Sequence, residues 1–203
     1  CTFRGSLSAV DANTGKILWK TYTISEKPKP RGKNDAGTTL WGPSGVGIWT
    51  APTVDPRRGL VYVGTGNAYS GESQPLGDSI VAYDMKTGKV RWKFQLTPKD
   101  VFLVGCGGAR KNPNCPEEVG PDLDFGASPV LTKFPNGKDV LIVGQKSAVA
   151  YAMDPDREGE IIWQYRAGRG GGLGGIEWGI ALDSEYVYLP VADVNTPSPG
   201  GLH

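Results

Sequence analysis

The stretch AVDANTGKILW at residues 9–19 returns as AYDMKTGKVRW at 82–92 and, one residue longer, as AMDPDREGEIIW at 152–163. A chain that writes one phrase three times is built from units that fold alike. In the first copy, the alternating SLSAVD reads as a strand, ANTG as a tight turn and KILWK as the returning strand of a hairpin. Asp11 is placed to accept hydrogen bonds from the turn amides, and Gly15 supplies the positive φ that closes the loop. Trp19, Trp92 and Trp163 end the three return strands as large rigid wedges suited to burial against a neighbouring sheet.

A second pair of strands precedes the later copies, in APTVDPRRGLVYVGTG at 51–66 and ASPVLTKFPNGKDVLIVG at 127–144. Each complete unit is therefore four short strands. A further start, GIALDSEYVYLPVAD at 179–193, stops before its hairpin, just as the first copy lacks its opening strands. The expected order is a half unit at 1–20, units at 47–94 and 125–166, and a half unit at 176–193. Four-stranded units in series are the mark of an all-β propeller, whose antiparallel blades stack because none can bury both faces alone. The tryptophans lie 73 and 71 residues apart because TYTISEKPKPRGKNDAGTTLWGPSG and TPKDVFLVGCGGARKNPNCPEEVGPDLD are inserted between blades. Insertions at equivalent positions share one face of the disc, and chemistry is expected on that face.

Composition narrows the partners. Lys and Arg number 22 against 21 Asp and Glu, with no basic run dense enough to track a phosphate backbone, so nucleic acid is not expected. No apolar stretch is long enough to span a bilayer. Cys106 and Cys115 share one loop at a spacing that allows a small local disulfide, which points to an exported protein; Cys1 is left odd, as if an upstream partner were missing. The absence of an initiator methionine and the closing NTPSPGGLH suggest a chain cut at both ends. The one histidine, His203, is terminal and offers no haem or zinc site.

The pattern A-x-D-x-x-T-G-x-x-x-W, met without a gap at 9–19 and 82–92, resembles the tryptophan-docking motif of the quinoprotein alcohol dehydrogenases. That resemblance implies an eight-bladed propeller holding pyrroloquinoline quinone (PQQ) and a calcium ion. The motif also occurs in propellers without a cofactor, so more specific marks matter. In GIWTAPTVDPRRGLVYVGTGN, Trp49 and Asn67 stand 18 residues apart, the separation of the family's quinone-stacking tryptophan and calcium-ligating asparagine. A flat quinone needs a flat aromatic face, and an amide oxygen is a hard neutral ligand for Ca²⁺. Set on successive strands of one sheet, the two side chains are expected to face a common cavity.

In VGQKSAVAYAMD, Lys146 matches the basic residue that contacts the quinone oxygens in the family, where a cation stabilises developing negative charge. In TPKDVFLVGC, Phe102 keeps the family's aromatic position, but Leu103 stands where the proposed catalytic aspartate belongs; Asp100 is the expected base instead. The loop AGRGGGLGGIEWG lacks the strand-to-helix setting of a phosphate cradle and reads as a propeller-face loop, with Trp178 and Glu177 as pocket residues. The family's glutamate calcium ligand precedes an Arg-Gly pair like Arg4-Gly5 and would fall before Cys1.

Within this superfamily the likeness to the polyvinyl-alcohol dehydrogenase group runs through essentially the whole chain. It is carried by CTFRGSLSAVD, NCPEEVGPDLDFGASPVL, GQKSAV and GGLGGIEWG. The resemblance implies oxidation of secondary alcohols by hydride transfer to PQQ, with an electron acceptor such as a cytochrome c, in the periplasm or outside the cell. It also implies that this stretch alone neither binds PQQ tightly nor turns over. Leu103 favours a rival reading, a cofactor-free propeller serving as a scaffold for protein interaction in the bacterial envelope.

Overall fold

The computed structural model describes residues 1–106 and 113–194, and every regular element among them is a β-strand. The middle of the cysteine loop and the tail from 195, with His203, lie outside the described residues. Strands β1 (Ser6–Val10) and β2 (Ile17–Tyr22) form a hairpin, followed by a second hairpin of β3 (Lys29–Lys33) and β4 (Thr39–Gly42). Next comes a four-stranded antiparallel sheet in sequence order, β5 (Thr53–Asp55), β6 (Leu60–Gly64), β7 (Ser79–Asp84) and β8 (Val90–Gln95). A second such sheet holds β9 (Val130–Lys133), β10 (Asp139–Gly144), β11 (Val149–Asp154) and β12 (Glu160–Arg166). The short pair β13 (Ala181–Leu182) and β14 (Val187–Tyr188) ends the series.

The repeated phrase is a statement of register. In all three copies its alanine lies opposite its tryptophan: Ala9 with Trp19, Ala82 with Trp92, Ala152 with Trp163. A methyl group there leaves room for the indole, and a register shift follows the alanine each time, where the strand turns toward the loop. The aspartate then closes the turn. Asp11 Oδ1 accepts from the Asn13 and Thr14 N–H groups and the Thr14 hydroxyl, and Asp84 Oδ1 repeats this with Lys86 and Thr87.

The tryptophan reaches forward to the next copy. Trp19 Nε1 donates to Met85 O at 2.9 Å, and its ring lies so close to Gly88 that a Cβ there would come within 2.4 Å of Cε3. Trp92 lies over Gly159 in the same way, with 2.8 Å to Cζ3. The turn glycine thus closes its own hairpin at φ +69 and receives the preceding sheet's indole. In the longer third turn the arrangement is incomplete, and Trp92 Nε1 is buried without an acceptor among the described residues.

Strand alternation buries both faces of the two large sheets. Leu60, Tyr62, Ile80 and Ala82 face Leu141, Val143, Tyr151 and Met153, while Val63, Val81 and Tyr83 turn the other way onto Leu7 and Trp19. Val140, Ile142 and Ala152 pack in turn toward Ile180, Leu182 and Val187. Burying such side chains contributes about 1.5–3 kcal/mol each, and no sheet achieves it without its neighbours. At the outer rim, Arg58 bridges the large sheets, contacting Asp55 Oδ2 at 2.7 Å, Asp139 Oδ2 at 3.0 Å and Asp156 Oδ2 at 2.5 Å.

The first insertion, read as a loop from sequence, contains the β3–β4 hairpin. Its strand Lys29–Lys33 is exposed along its whole length, so it carries none of the alternation that betrays a buried strand. The second insertion is tied by the Cys106–Cys115 disulfide, and Cys1 is a free, exposed thiol. Asn34 Nδ2 donates to Asn114 Oδ1 at 2.7 Å, so the two insertions meet on one side of the sheets. Among the described residues no helix is long and apolar enough to cross a membrane.

Candidate functional site

The segments before β5 and after β6 extend their hairpin beyond the sheet. Val46 N–H donates to Asn67 O at 2.7 Å and Gly66 N–H to Gly47 O at 2.9 Å. Trp49 and Asn67 therefore occupy the loops at one end of the sheet, not successive strands as expected. The Trp49 indole is 45% exposed and leans on Gly126, where a Cβ would lie 2.5 Å from Cη2.

Lys146 occupies the β10–β11 turn and is the hub of the site. Its Nζ lies 5.5 Å from the Trp49 ring centroid, 3.0 Å from Asp124 Oδ2, 3.2 Å from Asp122 Oδ2 and 3.9 Å from Glu177 Oε1. Burial alone would lower the lysine pKa, but Asp124 and Asp122 outweigh it and hold the ammonium charged above its ordinary value. Burial pushes Asp122 up to about 6 despite the lysine, and it raises Glu177 as well. The glycine-rich loop fixes the hub's backbone. Gly171 N–H donates to Lys146 O at 2.8 Å, and Gly175, at φ +77, approaches that carbonyl so closely that a Cβ would fall 2.0 Å from it.

Asn67 is buried, and its backbone N–H donates to Asp124 Oδ1 at 3.0 Å. Its side-chain amide donates to Ala68 O at 3.0 Å and Phe102 O at 2.7 Å, which fixes the carboxamide and leaves Oδ1 as an acceptor. A cavity of about 800 Å³ opens here, lined among others by Asn67, Asp122, Asp124, Lys146, Glu177 and Trp178. Trp178 is 81% exposed at its rim, and Trp49 adjoins it through Lys146.

Asp100, expected as the base, lies beside the site but off its cavity. It is buried and absent from the cavity lining; Oδ1 accepts from Phe102 N–H at 3.1 Å and Oδ2 from Leu123 N–H at 2.9 Å. Desolvation raises its pKa against these backbone bonds. Its carboxylate ties the start of the cysteine loop to the segment that returns from it. The carboxylate that does face the cavity beside Asn67 and Lys146 is Asp124, which the sequence reading passed over. The disulfide-closed insertion separates Phe102 from Asp124 along the chain, so counting forward from TPKD ends on Leu103. The usable signal was DLDFGASP, two carboxylates immediately ahead of the next sheet's opening strand.

Residues 2–105 match the PQQ family described as "Glucose/ethanol/alcohol dehydrogenase, beta-propeller domain". The chain belongs to this PQQ β-propeller family. It is 49% identical over 200 residues to a polyvinylalcohol dehydrogenase of a Pseudomonas species, covering 98% of this chain and 31% of that protein. It is 48% identical over 195 residues to a polyvinylalcohol dehydrogenase of Sphingopyxis sp. (strain 113P3), covering 96% and 30%. The chain therefore spans about a third of the length of these curated relatives. Among solved structures, a quinohemoprotein alcohol dehydrogenase from Pseudomonas putida HK5 superposes with a TM-score of 0.56 at 24% identity, over 81% of this chain and 24% of that one. That likeness shows the propeller fold.

The residues of this PQQ-family chain fit the family's cofactor. Trp49 offers a half-exposed aromatic face beside a buried cation, and Asn67 Oδ1 is a hard oxygen donor held rigidly at a cavity rich in carboxylates. Among the described residues no group of three or more His, Cys, Asp or Glu is arranged to hold a metal.

Proposed function

We propose that the chain forms part of a PQQ- and calcium-dependent dehydrogenase oxidising secondary alcohols of the polyvinyl-alcohol type, located in the periplasm or outside the cell and passing electrons to an acceptor such as a cytochrome c. The observation that carries this reading is the convergence on Lys146: Trp49 lies under its ammonium, Asp124 and Asp122 flank it, and Asn67 adjoins Asp124.

When bound with calcium, the quinone supplies a two-electron acceptor for hydride from the carbinol carbon. Trp49 provides the floor on which a planar ring stacks, with Trp178 at the rim. Asn67 Oδ1 gives calcium one ligand. Asp124 replaces Asp100 as the base, because its carboxylate lines the cavity where an alcohol hydroxyl could reach it. Lys146 keeps its proton and places positive charge where negative charge develops. Asp100 and Asn67's backbone hold the segments that carry these groups. Leu103 no longer favours the scaffold reading, since a carboxylate reaches the site from further along the chain.

The test is to load the full-length protein with PQQ and Ca²⁺ and to assay a secondary alcohol with an artificial electron-accepting dye. Dye reduction that requires both additions is expected. A loaded protein without activity on any secondary alcohol would leave the scaffold reading standing.

A further inference from the structure

A second cavity, of about 420 Å³, adjoins the first and has no role in the scheme above. The two share Phe102, Val104, Asp122, Gly172 and Leu173, so they are halves of one groove. Asn67, Asp124 and Lys146 line only the first half; Arg166 and Arg169 line only the second. Each half has the size of a small-molecule site. A small alcohol reacting beside Asp124 leaves the second half to water.

The shared walls define what can cross from one half to the other. Val104 is 93% exposed and Leu173 64%, two aliphatic side chains at the junction on which apolar atoms gain contact and lose water. Asp122 is the polar group beside them. Its Oδ2 lies 3.2 Å from Lys146 Nζ, and an ionised carboxylate only accepts, so from a ligand it takes an O–H or N–H donor. Gly172 keeps the passage clear, because a Cβ there would come within 2.8 Å of Asp122 Oδ2. In the second half the polar groups are donors instead. Arg166, at the end of β12, gives Nη1 to Ser147 O at 2.8 Å and carries further N–H groups, and Arg169 is exposed in the glycine-rich loop.

A ligand that suits both halves has an apolar spine and hydroxyls along it, since a hydroxyl donates to a carboxylate and accepts from a guanidinium. A purely apolar chain leaves Asp122 and the arginines without partners, and an anion is repelled at Asp122. We infer that the groove holds an extended 1,3-polyol, with one carbinol at Asp124 and the following units crossing Val104, Leu173 and Asp122 into the second cavity, and that Val104, Leu173 and Arg169 set a preference for long over short alcohols. The reacting position rests on the enzyme reading; the groove as a polyol-binding surface does not.

The experiment titrates full-length protein, by calorimetry, with a short vinyl-alcohol oligomer and with a poly(ethylene glycol) of equal length, which has no hydroxyls along its spine. The oligomer should bind at least about ten-fold more tightly than the glycol, and Val104→Ser combined with Leu173→Ser should weaken it by about ten-fold. Both side chains are exposed, so the double variant should keep the wild-type urea midpoint. Wild-type oligomer affinity in that variant, or equal binding of the two chains, would overturn the groove. Arg169→Ala should weaken the oligomer several-fold, and wild-type affinity there would remove the arginine from it. In protein loaded with PQQ and Ca²⁺, kcat/KM should rise at least about ten-fold from propan-2-ol to the oligomer, and the double variant should shrink that ratio. Turnover of propan-2-ol with no gain for the oligomer would overturn the preference. An inactive loaded wild type whose oligomer binding still depends on Val104 and Leu173 would count against the enzyme reading and leave the groove standing.

Discussion

Lys146 Nζ lies 3.0 Å from Asp124 Oδ2, and both side chains are about nine-tenths buried. Cutting one partner from such a pair strands the other's charge. Lys146→Met should destabilise the protein by about 3 kcal/mol in urea unfolding and sharply reduce dye reduction. Lys146→Arg should keep more of the stability than of the activity, because the larger planar fork alters what sits above Trp49. Unchanged urea midpoints in Lys146→Met would show that the pair contributes nothing net.

The Arg58 cluster predicts acid sensitivity. Burial alone would raise Asp55, but the Arg58 bonds outweigh it and hold that carboxyl below its usual range; Lys133 and Arg58 hold Asp139 at about 2. Depressed folded pKa values mean stability that is present above the unfolded value near 3.8 and lost as pH falls through the folded ones. Stability measured from pH 5 downward should decline below about pH 4. In Arg58→Leu, stability at pH 7 should be lower and this decline flatter; a parallel curve would contradict the assignment.

Docking of one copy on the next can be tested at Gly88. Gly88→Ala combines a φ of +69 with a methyl driven into the Trp19 ring, and should cost about 2–3 kcal/mol. Trp19→Phe loses the Met85 bond and part of the ring contact, for about 1–2 kcal/mol. Thermal denaturation of both variants measures this, and wild-type midpoints would mean that the indole is not a docking element.

The docking phrase was legible because turn chemistry and register are local: aspartate, glycine, alanine and tryptophan stand within one hairpin, and each copy repeats them. Family spacing singled out Trp49, Asn67 and Lys146, and in the structure Lys146 lies beside Trp49 and beside Asp124, which Asn67 contacts. The β3–β4 hairpin was not, because its exposed lysine- and proline-rich strand buries nothing. Asp124 was missed because a disulfide-closed insertion lengthens the chain between neighbours in space, so distance in sequence ceased to report distance in the fold.

Cofactor retention separates the roles of Trp49 and Asn67. Trp49→Ala should lose the quinone's stacking face and retain less quinone absorbance after gel filtration. Asn67→Ala should raise the calcium concentration needed for loading by at least about ten-fold. Each should lower activity accordingly, and loading curves that match wild type in both variants would remove these assignments.

The most direct test concerns Asp124, the cavity-lining carboxylate that contacts both Asn67 and Lys146. Asp124→Asn, in full-length protein loaded with PQQ and Ca²⁺, should keep the quinone bound and lower kcat for a secondary alcohol by about 10²-fold or more. Wild-type turnover in that variant, or its loss only through Asp100→Asn, would contradict the account.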